Sequence, residues 1–269
     1  MKIFVFGSTG MLGGYVTSYF EKRRYNVIRV TRNDINAEDI TNTGLWIWFE
    51  LNGGLFINDL VINCIGLIKQ KMTDKDAVKT IKTNSVFPHI LSGICSRKYV
   101  KLIHISTDGV FSGLTGNYRE SDEPDPVDLY GMTKVAGEPK NCSVIRTSLI
   151  GESVFKGSLL EWVKSNKEIR GYTNHFWNGV TCLQLAKCIE EIMDSNLFWD
   201  GVRHYFSESV TKGQLVRYIV EVYDTGSHVK DFDAKTPVNR TLSSDYNLFK
   251  EPPTLLRQIR EQKEWLLPT

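Results

Sequence analysis

Tyr130 and Lys134 stand four residues apart in "YGMTK". On a helix that spacing puts both side chains on one face. A free phenol has a pKa of about 10 and is poorly matched to proton transfer near neutral pH. An ammonium within about 4–6 Å favours the phenolate and can lower that value by about 1–3 units. Such a pair can give a proton to a carbonyl oxygen while hydride reaches the carbon. The chemistry also wants a hydroxyl that holds the carbonyl in place. "STDGVFSG", residues 106–113, offers one, because the apolar run 102–105 ends in Ser106, Thr107 and Asp108. Thr107 is the candidate donor to the carbonyl, opposite Tyr130. Alternation along a strand turns Ser106 to the other face. The plainer readings are a chance Tyr–Lys pair and a threonine that only caps a turn.

Hydride needs a carrier, and "FVFGSTGMLG" at the start of the chain supplies a place for one. Gly7, Gly10 and Gly13 follow an apolar strand and open a helix. Gly7 permits the tight turn, Gly10 the approach of a pyrophosphate, and Gly13 close helix–strand packing. The helix N-terminus adds unpaired N–H groups and a favourable dipole. The second strand ends in Val30-Thr31-Arg32-Asn33-Asp34. An arginine there suits a 2′-phosphate, and Asp34 comes late for ribose hydroxyls. NADPH is therefore expected, with NADH the alternative. The plainer reading of Arg32 is a solvated surface cation.

The elements that must position these residues alternate. Strands are expected at 2–6, 25–30, 60–64, 101–105 and 143–147. Helices are expected at 11–23, 37–50, 74–97 (with Pro88 as a kink) and 126–137. Continuous apolar strands separated by helices imply an α/β fold with a parallel sheet covered on both faces. Beyond residue 150 the alternation loosens. Helices at 158–166, 182–195, 212–223 and 253–266, with short strands near 202–206 and 229–232, make a small lobe packed on the first part. The expected organisation is residues 1–150 for the cofactor and the catalytic residues, and residues 151–269 for the substrate, with the chain crossing between them.

The formal net charge is +2, so nothing points to a nucleic-acid groove or a polybasic membrane surface. No apolar stretch reaches the ~20 residues of a bilayer span, and the N-terminal run is too short for a signal peptide. Five cysteines, at 64, 95, 142, 182 and 188, form no CxxC pair. They read as reduced thiols of a cytoplasmic protein without a metal site. No heptad or broad apolar stripe fixes an oligomeric state, and a homodimer through a helix pair stays open.

"GSTGMLG", "STDGVFSG", "YGMTKVAGE" and "VIRTSLIG", in that order and spacing, resemble the RmlD-like sugar-nucleotide reductases, extended short-chain dehydrogenases with a Rossmann-type doubly wound sheet and a small C-terminal α/β substrate lobe. The resemblance runs over the whole chain, "TLSSD" at 241–245 included. It implies reduction of the C4 ketone of a nucleotide-linked 4-keto-6-deoxysugar, UDP- or dTDP-linked. Thr107, Tyr130 and Lys134 would be catalytic, and Lys134 would also hold the nicotinamide ribose. Gly7, Thr9, Gly10, Met11, Leu12 and Gly13 would line the pyrophosphate. Asp39 and Ile40 would flank the adenine, and Cys64, Ile65 and Gly66 would pass along the cofactor. Asn84 would brace the strand ends. Asp108, Asn174, His175, Trp177 and Asn178 would face the nucleotide sugar, with Trp177 either stacking on a sugar ring or filling the lobe interface. Arg146 would neutralise Asp108 or orient the substrate segment. Gly109 departs from the family's S-T-D-Y-V-F, and "GYTNHFWNGVT" departs from its D-Q-x-G-x-P-T. With "NCIGLIKQK" and "SLLEWV", these departures resemble a subgroup that reduces UDP-linked 4-keto-6-deoxy-N-acetylhexosamines, toward rhamnosamine-type products.

Two other readings compete. A dehydratase or epimerase of this fold needs further acid/base groups, and the Glu that usually follows the catalytic Thr-Asp is replaced by Gly109. A non-catalytic NADP-binding regulatory subunit keeps the fold but does not need the trio, which is complete here.

Overall fold

The structure, a computed structural model, describes residues 1–69, 72, 76–153 and 158–265. The first part alternates strictly: β1 (Lys2–Phe6), α1 (Met11–Lys22), β2 (Asn26–Val30), α2 (Asn42–Leu51), β3 (Leu60–Asn63), α3 (Ala77–Ile81), α4 (Phe87–Arg97), β4 (Lys101–Ile105), α5 (Leu129–Ala136) and β5 (Ser143–Arg146). The second part carries α6 (Leu159–Ser165), α7 (Cys182–Asp194), α8 (Lys212–Tyr223) and α9 (Leu255–Glu264) between short strands.

β1 to β5 and the strand Gly201–His204 form one six-stranded sheet, in the order β2-β1-β3-β4-β5-(201–204). Every pairing in it is parallel. From β1 the chain goes to one side for β2 and returns to the other for β3. That reversal opens a crevice at the carboxyl ends of the strands, where ligands of doubly wound sheets bind.

Alternation along the strands feeds two cores. Ile3 and Val5 of β1 pack with α1 and α7 on one face. Phe4 and Phe6 pack with α2 and α4 on the other. A third core joins α6, α8 and α9 within the lobe. The chain crosses between the two parts. The strand Gly201–His204 completes the first part's sheet, and α7 completes one of its helical layers.

Three helices begin later than their apolar spacing suggests, and local bonds explain it. Thr41 Oγ1 accepts from Gly44 N at 3.0 Å, so α2 starts at Asn42, not at Ala37. Asp128 Oδ1 accepts from Gly131 N at 2.9 Å and starts α5 at Leu129, not at Pro126. α9 starts at Leu255, after Pro252-Pro253. The helix expected from 74 to 97 runs without interruption from Ala77 to Arg97. A π-helical turn, Lys82–Val86, joins α3 to α4 just before Pro88, whose ring cannot donate to the preceding turn. Residues 74 and 75 and residue 266, also expected to be helical, lie outside the described residues.

All five cysteines are free. Among the described residues no helix is long and apolar enough to cross a membrane, and no cluster of His, Cys, Asp and Glu could hold a metal ion.

Candidate active site

β1 ends at Gly7, whose φ of +77° carries the chain out of the strand. A Cβ on Gly13 would lie 2.0 Å from the Gly7 carbonyl oxygen, so only glycine lets α1 approach this closely. Gly10 caps α1 without a side-chain bond, leaving the first-turn N–H groups available. This is a cradle for a dinucleotide pyrophosphate.

A cavity of about 180 Å³ opens beside it, lined by Gly7, Thr9, Gly10, Arg32, residues 35–38, Cys64, Ile65, Gly66, Leu67 and Thr83. Seven expected cofactor residues therefore meet there. Met11, Leu12 and Gly13 lie outside the lining. Met11 packs against the first core, Leu12 is buried in it, and Gly13 closes on Gly7. Asp39 and Ile40 lie outside it too. Asp39 is bonded to Asn36 Nδ2 at 2.6 Å, and Ile40 packs on the core beneath α2. Their place at the rim is taken by Ile35, Asn36, Ala37 and Glu38.

Arg32 stands at the rim, ion-paired to Glu38, which also meets Lys79 at 3.3 Å. Asp34 is turned away. Its Oδ2 accepts from Thr31 N at 2.8 Å and from Thr31 Oγ1 at 2.6 Å, and these bonds hold its carboxyl below the usual range. The rim thus carries two cations, Arg32 and Lys79, sharing the Glu38 carboxylate, and its second-strand aspartate is occupied. The cradle, the cavity and the rim fit an NADP(H) cofactor.

Cys64 lies in this lining; burial pushes its thiol up to about 12, against the opposing pull of Lys134. Asn84, in the π-helical turn, fastens the loop after β3. Its Oδ1 accepts from Leu67 N at 2.8 Å, and its Nδ2 donates to Leu67 O at 3.0 Å. The same amide reaches Thr133 Oγ1 on α5 at 3.3 Å.

The catalytic candidates converge at the end of β4. Thr107 is buried, and Tyr130 from α5 shares a hydrogen bond with it. Burial pushes the Tyr130 phenol up to about 12, helped by Asp108 and Asp128, while the Thr107 bond pulls it down. The expected depression by Lys134 is not found. The Lys134 ammonium donates to Ile105 O at 2.8 Å, and burial lowers it to about 8 despite the Glu138 carboxylate. With burial dominant, the phenol keeps its proton at neutral pH and stands ready as a donor.

Gly109 has a local reason. A Cβ there would meet Tyr130 Cε1 at 3.2 Å and Thr107 Oγ1 at 3.3 Å. Ser106 does point away, its Oγ donating to Glu138 Oε1 at 2.5 Å. Glu138 is also the partner of Arg146, through Nε at 2.9 Å and Nη2 at 2.7 Å, with both side chains buried. Arg146 therefore neutralises Glu138, not Asp108 as expected.

Asp108 lies against the second lobe. Its carboxyl accepts from the Thr107 hydroxyl at 3.1 Å and from the Ser148 hydroxyl. Burial raises it, and the charges of Lys212 and Arg240 pull it back. Trp177 Nε1 donates to Ser148 Oγ at 2.7 Å, and Lys212 Nζ sits 4.9 Å above the Trp177 ring. Trp177 is thus buried at the lobe interface. Lys212 and Arg240 carried no recognisable motif, and only their helix and loop neighbours bring them to Asp108. Asn174 and Asn178 fasten backbone. Asn174 bonds Ala234 O at 2.8 Å and Ala234 N at 3.1 Å. Asn178 bonds Leu242 O at 2.7 Å and Leu242 N at 2.9 Å. His175 stacks on Tyr172 at 4.6 Å, with Nε2 3.2 Å from Thr236 O.

Known proteins match this arrangement. The family profile described as "RmlD substrate binding domain" matches residues 1–263. The spore coat polysaccharide biosynthesis protein SpsK of Bacillus subtilis is 27% identical over 198 residues, which cover 70% of this chain and 68% of SpsK. A dTDP-4-dehydrorhamnose reductase of Mycolicibacterium smegmatis is 32% identical over 141 residues, 51% of this chain and only 40% of that protein. The crystal structure of a dTDP-4-dehydrorhamnose reductase from Bacillus anthracis in complex with NADP superposes with a TM-score of 0.80, covering 98% of both chains. At 18% identity that likeness speaks to the fold alone.

Proposed function

Because this chain belongs to the RmlD substrate binding domain family, we propose that it is an NADPH-dependent reductase of the C4 ketone of a nucleotide-linked 4-keto-6-deoxysugar. The observation that carries this reading is the meeting of Thr107, Tyr130 and Lys134 at the end of β4, beside a crevice with a glycine cradle and a cationic rim. Relatives named for dTDP-4-dehydrorhamnose reduction support it, and the fold is one that has been solved with NADP bound.

The bound nicotinamide supplies the hydride. The chain's residues do the rest. The first-turn N–H groups of α1 hold the pyrophosphate, and Arg32 takes the 2′-phosphate. Lys134, fixed to Ile105 O, presents its remaining protons to the nicotinamide ribose. Tyr130, protonated at neutral pH, gives its proton to the C4 oxygen as negative charge develops there. Thr107 turns its hydroxyl from Asp108 to that oxygen and keeps it within reach of Tyr130. The substrate is a UDP-linked 4-keto-6-deoxy-N-acetylhexosamine, reduced to a rhamnosamine-type product, in keeping with Gly109 and the 171–181 segment. The protein acts in the cytoplasm.

The test is NADPH absorbance decay with such a UDP amino sugar generated in situ, beside the dTDP-4-keto-6-deoxyhexose. Decay with the UDP sugar alone supports the full reading. Decay with the dTDP sugar alone keeps the reductase and discards the amino sugar. NADPH binding without decay on either points to a regulatory subunit. Tyr130→Phe should abolish turnover and leave NADPH affinity nearly intact; wild-type turnover would remove Tyr130 from proton delivery.

A further inference from the structure

Lys212 is the unusual cation of this molecule. It opens α8, after the cap made by Thr211 Oγ1 to Gln214 N. Its ammonium lies over Trp177 and has no hydrogen-bond or ion-pair partner among the described residues. The other half-buried and buried cations near the site are all engaged. Lys134 holds Ile105 O, Arg146 holds Glu138, and Arg240 Nε holds Phe111 O at 2.9 Å. Trp177 is itself fixed by Ser148, so the platform beneath Lys212 cannot swing away without breaking that bond. The groups around the ammonium are the Asp108 carboxylate, from the turn after β4, and the Arg240 guanidinium, from the 240 loop. Burial lowers Lys212 to about 8, against the pull of Asp108.

Asp108 has capacity to spare. A carboxylate accepts about four hydrogen bonds, and Thr107 and Ser148 supply only two. It is half-buried, so a ligand can reach it. An unsatisfied donor and an acceptor with free lone pairs thus belong to one patch, joined through Trp177 and Ser148, one residue from the hydroxyl placed at the C4 ketone. A hydroxyl substituent can answer either of them. A secondary amide answers both, its N–H to a carboxylate and its carbonyl oxygen to an ammonium. On a pyranose ring the C2 substituent lies close enough to C4 for one pocket to hold both.

We propose that Lys212 and Asp108 form the subsite that selects the C2 acetamido group of the sugar, with Lys212 donating to the acetyl oxygen and Asp108 accepting the amide N–H. This rests on the reductase reading and explains, from side chains, why an N-acetylhexosamine would be preferred to its 2-hydroxy counterpart.

The experiment compares Lys212→Met and Lys212→Arg with wild type. Methionine keeps an unbranched stem over Trp177 and removes the donor. kcat/KM is measured for the 2-acetamido and 2-hydroxy forms of one UDP-4-keto-6-deoxyhexose. A hydrogen bond from a charged donor corresponds to about a 10–150-fold effect. The ratio of the two values should fall by that factor in Lys212→Met and recover in part in Lys212→Arg. Calorimetric binding of UDP-N-acetylglucosamine and UDP-glucose to the NADP⁺-loaded protein gives a second readout that needs no turnover. If neither ketone is reduced, the reductase reading fails, while a Lys212-dependent preference for the N-acetyl ligand would still uphold the subsite. Equal losses on both sugars would place Lys212 on a shared group such as the diphosphate and overturn the proposal. So would a wild-type protein with no preference, or an unchanged ratio.

Discussion

Glu138→Gln tests how the site is held. Glu138 lies two residues past the end of α5 and ties three things together: Arg146 at the end of β5, Ser106 at the end of β4, and, through charge, Lys134 on α5. Its side chain is 7% exposed and that of Arg146 5%. Removing one charge of a buried pair costs about 3–5 kcal/mol, because the other charge is left uncompensated. Arg146 already has an unpartnered buried Nη1, so it has no second acceptor to turn to. For a chain of this size about 2–4 °C accompanies each kcal/mol, so the melting temperature should fall by roughly 6–20 °C. The double variant Glu138→Met with Arg146→Met should recover most of the loss, since buried pairs replaced together by apolar groups are often neutral. Lys134 gives a separate readout. The Glu138 carboxylate raises its pKa, so in Glu138→Gln the value drops below the present one of about 8. The ammonium is the working form and is lost as pH rises through that value. The alkaline limb of kcat/KM should therefore move to lower pH. Thermal melts and a pH–rate profile check both parts. A melting temperature within 2 °C of wild type, with an unmoved limb, would refute the reasoning.

Arg32→Ala should weaken NADPH far more than NADH, by about 10-fold or more if one charged contact to the 2′-phosphate is lost; equal losses in a fluorescence titration would remove Arg32 from that phosphate. Gly109→Ala should lower kcat several-fold with little change in stability, because its Cβ would press on Tyr130 and Thr107 at 3.2 and 3.3 Å; steady-state kinetics beside a thermal melt decides it. Stability should fall as pH rises past 9. Burial raises the thiols of Cys64, Cys95, Cys142, Cys182 and Cys188 from 9.0, so the unfolded chain ionises first and is favoured. Lys134 and Lys212, lowered from 10.5 to about 8, act in the opposite sense between those values, but they are two groups against five. Urea unfolding at pH 8 and pH 10 measures the difference.

The parts legible in the sequence were those in which backbone geometry limits the residue choice. The Gly7–Gly13 approach allows no Cβ, and an i, i+4 pair on α5 must share a face, so the cradle and the Tyr130–Lys134 pair could be placed from spacing alone. Ser106 and Thr107 part company because strand alternation sends one to Glu138 and the other to Tyr130. Positions set by long-range contacts were not legible. Asn174 and Asn178 have the residue type of ligand-binding amides, yet the backbone of 234 and 242, some 60 residues later, takes their bonds. Arg146 was assigned the wrong carboxylate because Asp108 and Glu138 are both acidic and both near the strand ends; burial beside Ser106 selects Glu138. Lys212 had no sequence signal at all, since one lysine at a helix start looks like any other. What distinguishes it is a ring beneath it on a distant strand, Trp177, and a carboxylate charge from the other lobe, Asp108. The division follows the chemistry. The cofactor half is read by backbone, which leaves glycines in the sequence. The sugar half is read by side chains brought together from distant segments, and only the folded chain shows which of them meet.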